Sequence, residues 1–153
     1  MIRNDKNFYL LYKFSINTSL FIFLFCILNF QISLSFFSMF ETSTPSLISI
    51  VIYFCIVRFN INPPSIILLL TGFLHDIMIG NNFGITSIFL LLLKYFTNNL
   101  ILERVNKDNQ EEWIYFTIIF IVSFSIVFLI NLIISFSLPE LSPIFFHVGI
   151  TLI

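Results

Sequence analysis

Alanine does not occur anywhere in this chain, and glycine occurs only four times. Close helix packing in membranes ordinarily draws on Gly, Ala, Ser and Thr, so Ser and Thr must supply most of the small-residue contacts here. Charge is scarce too. Asp, Glu, Lys and Arg together make up 10% of the 153 residues, against about a quarter in a soluble domain. That excludes an ordinary water-soluble globule and points to a single integral membrane domain. The net charge of -1 offers no basic surface for nucleic acid. The two cysteines, Cys26 and Cys55, lie inside apolar segments with no metal-ligand spacing between them. They read as buried free thiols, and no metal site is expected. Catalytic signatures are missing as well. There is no G-x-S-x-G nucleophile turn, and the glycine-rich stretch Gly80–Gly84 lacks the lysine and hydroxyl residue of a phosphate loop. No pair of carboxylates sits at catalytic spacing on a helix, and nothing calls for a cofactor. The expectation is a protein that is not an enzyme.

What the chain has instead is apolar length. Hydrophobic residues make up 58% of it, and 22 of them are phenylalanine, a bias typical of an AT-rich coding sequence. Apolar runs predict an all-α membrane bundle of five to six transmembrane helices, at about 14–36, 46–59, 64–79, 84–102, 113–138 and 143–153. Asn17, Asn29 and Gln31 interrupt the first run and are expected to face other helices. The second is short for a bilayer core of about 30 Å. Pro45 suits its start and Arg58 marks its end. The last has eleven residues, Pro143 to Ile153, about half a crossing, so it is either incomplete here or re-entrant. No signal-peptide cleavage pattern follows the N-terminus. Arg3, Lys6 and Lys13, then Arg58, then Arg104 and Lys107 fall in alternate loops. The intervening loops carry no Lys or Arg, which predicts a cytoplasmic N-terminus. The charged stretch 103–112, with Glu111 and Glu112, reads as a solvated loop.

The rest is organised around Pro63 to Phe96. Two apolar helices are joined there by a tight turn, Gly80-Asn81-Asn82-Phe83-Gly84. The first carries Asp76, with Gly72 and Gly80 four residues to either side, so all three share one helix face. A carboxyl group within a membrane segment is costly and faces protein rather than lipid. It binds a partner or ligand in an outward-facing cavity, or bonds the nearby turn backbone and holds it, and the two roles are compatible. Gly72, Gly80 and Gly84 serve either close backbone approach or positive φ. His75 lies about 100° round the helix from Asp76 and reads as hydrogen-bonded to a neighbouring helix. His75, Asp76 and His147 meet as a metal site only by tertiary coincidence. Lys94, inside the fourth segment, either snorkels to the cytoplasmic side or reaches a carboxylate within the bundle. With His75 it forms a possible polar cluster.

The run Gly72-Phe73-Leu74-His75-Asp76, then Gly80, then Phe83-Gly84 and an apolar helix, resembles the rod shape-determining protein MreD family. Pro45-Ser46-Leu47, opening a helix that runs to Tyr53 and Arg58, is also similar to that family. The specific motif covers 72–84, and the hydropathy likeness about 10–150. The chain departs from the family at His75, where an apolar residue is usual, and in its short last segment. The resemblance implies a non-enzymatic inner-membrane scaffold of the bacterial cell-wall elongation machinery that binds MreC and, through it, the rest of the elongation complex. The surface around Gly72, Asp76, Gly80 and Gly84 is the expected contact. The same architecture is similar to the substrate-binding subunits of energy-coupling-factor vitamin transporters. In that alternative, Asp76 would anchor a small molecule.

Overall fold

A computed structural model describes residues 2–34, 46–80, 82–101, 109–135 and 148–151. The described residues are helical, with no strand among them. Five helices follow one another: α1 (Ile2–Leu34), α2 (Leu47–Val57), α3 (Ser65–Ile79), α4 (Ile85–Ile101) and α5 (Asn109–Ser135). Residues 148–151 add a further helical turn. Two helices contain 23-residue windows long and apolar enough to cross a membrane, Tyr12–Leu34 in α1 and Glu111–Ile133 in α5. Pro45, Arg104, Lys107, residues 136–142 and His147 lie outside the described residues, as does Asn81.

α4 is the central element. It packs on α2, α3 and α5, while α1 packs on α2 and α3. Leu90, Leu93 and Thr97 of α4 are fully buried. α2 is rich in β-branched residues, which are indifferent helix formers. Its helix depends on packing one stripe, Ile48, Ser49, Ile52, Tyr53 and Ile56, into the bundle. Between α4 and α5 the core is aromatic. Phe89 meets Phe120 edge-on at 5.5 Å between ring centroids, and Phe120 stacks with Phe124 at 6.2 Å. Such pairs are worth about 0.5–1.5 kcal/mol each beyond the area they bury.

Small polar residues supply the close packing that alanine does not. Ser49, Thr71, Ser87, Thr97 and Ser123 are all buried. Three of them hydrogen-bond to backbone of their own helix or its cap: Ser49 Oγ donates to the carbonyl of the N-cap Ser46 at 2.6 Å, Thr71 Oγ1 to Ile67 at 2.6 Å, and Thr97 Oγ1 to Leu93 at 2.7 Å. Ser87 Oγ instead crosses to the Leu69 carbonyl of α3 at 2.9 Å. Directly beside that bond lies Gly72. A Cβ built there would come within 2.5 Å of the Ser87 backbone, so α3 and α4 touch main chain to main chain at this point.

The three motif glycines therefore do two different jobs. Gly72 is the close-approach glycine. Gly80 and Gly84 have open space where a Cβ would stand, but take φ values of 78° and 91°. That left-handed conformation costs an ordinary residue about 1–2 kcal/mol. Gly80 ends α3 as its cap, its N–H donating to the Asp76 carbonyl at 2.9 Å. A single packing stripe through Gly72, Asp76 and Gly80 is thus not what the spacing encodes.

Gly72→Ala should force α3 and α4 apart and destabilise the fold by about 1–3 kcal/mol, as overpacking does. Gly80→Ala should cost about 1 kcal/mol through backbone strain alone, and Gly80→Asn less, since Asn tolerates the left-handed region. Thermal unfolding of the three variants in detergent checks this order.

Candidate functional site

The α3–α4 hairpin brings Asp76 to the N-terminus of α4. A helix N-terminus presents N–H groups with no intrahelical partner and the positive end of the helix dipole. The Asp76 carboxylate is fully buried and meets that need. Oδ2 accepts from the Gly84 N–H at 2.8 Å, and Thr86 N–H lies 3.3 Å from both oxygens. The residue thus caps a helix that begins nine residues downstream, at Ile85. Of the two roles open to it from sequence, holding the turn is the one its contacts perform.

His75 is drawn into the same place. Although it lies round the helix from Asp76, it also reaches the first turn of α4. Its Nδ1 is 3.2 Å from Thr86 Oγ1, and its Nε2 is 3.2 Å from Gln31 Nε2 on α1. The proton positions follow from one fixed donor. The backbone N–H of Ile48, at the start of α2, points at Gln31 Oε1 at 3.3 Å and can only donate. The Gln31 amide is therefore oriented with its NH₂ toward His75, whose Nε2 must accept. The ring proton then lies on Nδ1 and is donated to Thr86 Oγ1. One chain of polar contacts, Ile48–Gln31–His75–Thr86–Asp76, joins α1, α2, α3 and α4 at one end of the bundle. At the same end, Asn82 Nδ2 donates to Asn131 Oδ1 of α5 at 3.2 Å. The Ser46 N–H donates to Thr151 Oγ1 at 3.0 Å.

Lys94 is not part of this cluster. Its Nζ donates to the Pro63 carbonyl at 2.8 Å and to Ser65 Oγ at 3.0 Å, at the opposite end of α3 from His75. The expected pairing of His75 with Lys94 does not form, because α3 separates them by about 15 Å at ~1.5 Å rise per residue. Among the described residues Lys94 meets no carboxylate; its head bonds the Pro63 carbonyl and the Ser65 hydroxyl where the chain enters α3.

The ion pair among the described residues is elsewhere. Arg58 Nε, at the end of α2, meets Glu112 Oε2 at 2.9 Å. Glu112 is buried in the first turn of α5, not in a solvated loop as its sequence neighbourhood suggests. Tyr53, itself fully buried, donates its hydroxyl to the Glu112 carbonyl at 2.7 Å. The pair locks the C-terminal end of α2 to the start of α5. Glu111, one residue earlier, is exposed.

Gln31, Thr86 and Glu112 are the residues that sequence reasoning undervalued. Gln31 was expected to face another helix, and does so. Asn29, expected to do the same, is exposed and bonds its own helix at the Phe25 carbonyl, 2.8 Å away. Nothing local marks Thr86 as a partner of His75, since their meeting depends on how the turn folds. The described residues hold no group of three or more His, Cys, Asp or Glu side chains arranged to bind a metal ion. Comparisons of the chain with family models, with curated proteins and with solved structures return no match.

Asp76→Asn removes the charge from the cap and should cost about 1.5–3 kcal/mol, the range for hydrogen bonds to a charged group. Gln31→Leu and His75→Leu should each destabilise by leaving a buried partner unsatisfied. The double variant should cost less than their sum, with a coupling of about 0.5–3 kcal/mol in a double-mutant cycle. Denaturant or thermal unfolding of the four proteins measures it, and strict additivity would contradict the contact.

Proposed function

We propose that this chain is a multi-pass protein of the bacterial inner membrane, a non-enzymatic scaffold of the cell-wall elongation machinery that docks an MreC-like partner. The observation that carries the membrane reading is the exposure of its longest helices. In the most apolar 18-residue stretches of α1 and α5, 22% and 28% of the residues are buried. Ile22, Phe23, Phe30, Ile114, Ile118 and Leu129 all face outward. A soluble protein does not leave so much contiguous apolar surface to water, whereas lipid accepts it. The polar ends suit the same reading. Arg58 and the Lys94 head lie at one end of the bundle, the cytoplasmic one by the distribution of basic residues. The Asp76 cap and the Asn82–Asn131 pair lie at the other.

The scaffold reading rests on the resemblance of the 72–84 motif to the MreD family and on what that motif does. Asp76 and its neighbours are spent on backbone and on one another. Their work is to hold the hairpin, whose turn leaves Asn82 and Phe83 outward. A partner would then meet the turn, with Gly72, Asp76, Gly80 and Gly84 shaping that surface from beneath. The transporter alternative asks Asp76 to anchor a solute, whereas the carboxylate is fully buried and turned onto the start of α4.

Coexpression with the MreC of the same bacterium tests the proposal. The native chain should bring MreC through purification in detergent. Asp76→Ala, which frees the turn, should lose it, while Glu111→Gln, at an exposed site far from the turn, should retain it. Absence of MreC with the native, folded chain would overturn the scaffold reading.

A further inference from the structure

We propose that the bundle thins the bilayer on the side formed by α3, so that this face selects short-chain or locally compressed lipid while α1 does not. The inference rests on the membrane reading above. It follows from two polar boundaries that stand too close together.

The inner boundary is the Lys94 ammonium. α3 and α4 run antiparallel with Gly72 against Ser87. In that register Lys94 stands level with Ser65, to which it is hydrogen-bonded. A charge fixed on the Pro63 carbonyl and the Ser65 hydroxyl belongs at a headgroup interface, not among acyl chains. The outer boundary is the turn that begins at Gly80 and carries exposed Asn82. Between them α3 has 15 residues, about 22 Å at ~1.5 Å per residue, and tilt shortens it further. Hydrocarbon cores measure about 27–33 Å.

α3 is not sheltered from this shortfall. Ile66, Leu69, Leu70, Phe73 and Ile77 are exposed along its whole length. Phe83 does not lengthen the apolar band, because its ring folds back to stack on Phe73 at 5.7 Å. The opposite case holds at α1 and α5. Beyond Lys13 and beyond Glu112, residues 14–34 and 113–133 run about 31 Å at ~1.5 Å per residue, enough to cross a full-thickness core. The molecule therefore presents two hydrophobic depths around its circumference. The lipid beside α3 has to compress or be short, since exposing Ile66 and Ile77 to headgroups and water is the alternative.

Trp113, the sole tryptophan, makes the test direct. In a Trp113→Phe background, one tryptophan is introduced either by Leu70→Trp on α3 or by Phe23→Trp on α1. Each protein is reconstituted in phosphatidylcholine with myristoleoyl, oleoyl or erucoyl chains, mixed with a brominated lipid that quenches neighbouring tryptophan. At position 70, myristoleoyl lipid should be favoured over erucoyl lipid by about threefold or more, as mismatch energies of fractions of a kcal/mol per Å require. At position 23 the preference should be much weaker. Equal preference at both positions would overturn the proposal. Absence of quenching by any lipid at either position would instead overturn the membrane reading on which it rests. The native chain gives a second readout free of substitutions. Its thermal stability should be higher in myristoleoyl or oleoyl than in erucoyl bilayers, and a peak in erucoyl lipid would contradict the thinning.

Discussion

The Asp76 carboxylate on the first N–H groups of α4 is the contact on which the rest of this structure depends. α4 is the helix that α2, α3 and α5 all touch, so its direction sets the bundle. That direction is fixed where it leaves the turn. A buried carboxylate is costly unless hydrogen bonds replace the water it loses. Here the Gly84 and Thr86 N–H groups do so, at an end of a helix that favours negative charge. The exchange is mutual, since those N–H groups would otherwise lack acceptors. The two positive-φ glycines let the chain reverse tightly enough for the exchange to occur. Gly72 lets the two helices stay in contact below it.

The remaining polar contacts sort to the two ends of the molecule. At one end, neutral amide, imidazole and hydroxyl groups link four helices through Gln31, His75 and Thr86. At the other, Arg58–Glu112 and Lys94 tie helix ends with charge. Between them the core is aliphatic and aromatic, with buried Ser and Thr mostly bonded to their own helices. This separation keeps directional interactions at the ends, where they set register. The middle is left to packing.

Much of the helical layout was legible in the sequence. The ends of α2, α3 and α4 fall close to the limits of their apolar runs. The sequence also marked the turn at Gly80–Gly84 and singled out Asp76, because an acid in an apolar run is conspicuous. What it left open was which neighbour each polar residue meets. Gly72 and Gly80 look alike by spacing, yet one is needed for contact and the other for backbone conformation; only the position of Ser87 separates them. Glu112 sits in a charged run and looks solvated until α2 brings Arg58 and Tyr53 onto it. His75 and Lys94 looked like candidates for one cluster, but the length of α3 keeps them apart. Periodicity encodes which face is buried; it does not encode the register between helices, and these contacts are all matters of register.

Amide hydrogen exchange at Gly84 and Thr86 in detergent or nanodiscs tests the central claim most directly. In the native protein both amides should be strongly protected. In Asp76→Ala both should exchange faster by about tenfold or more, the equivalent of losing a hydrogen bond to a charged group, while the amides of Leu90 and Leu93 in the core of α4 keep their protection. Unchanged exchange at Gly84 and Thr86 in the variant would mean that the carboxylate does not hold the start of α4, and the account of the hairpin would fail with it.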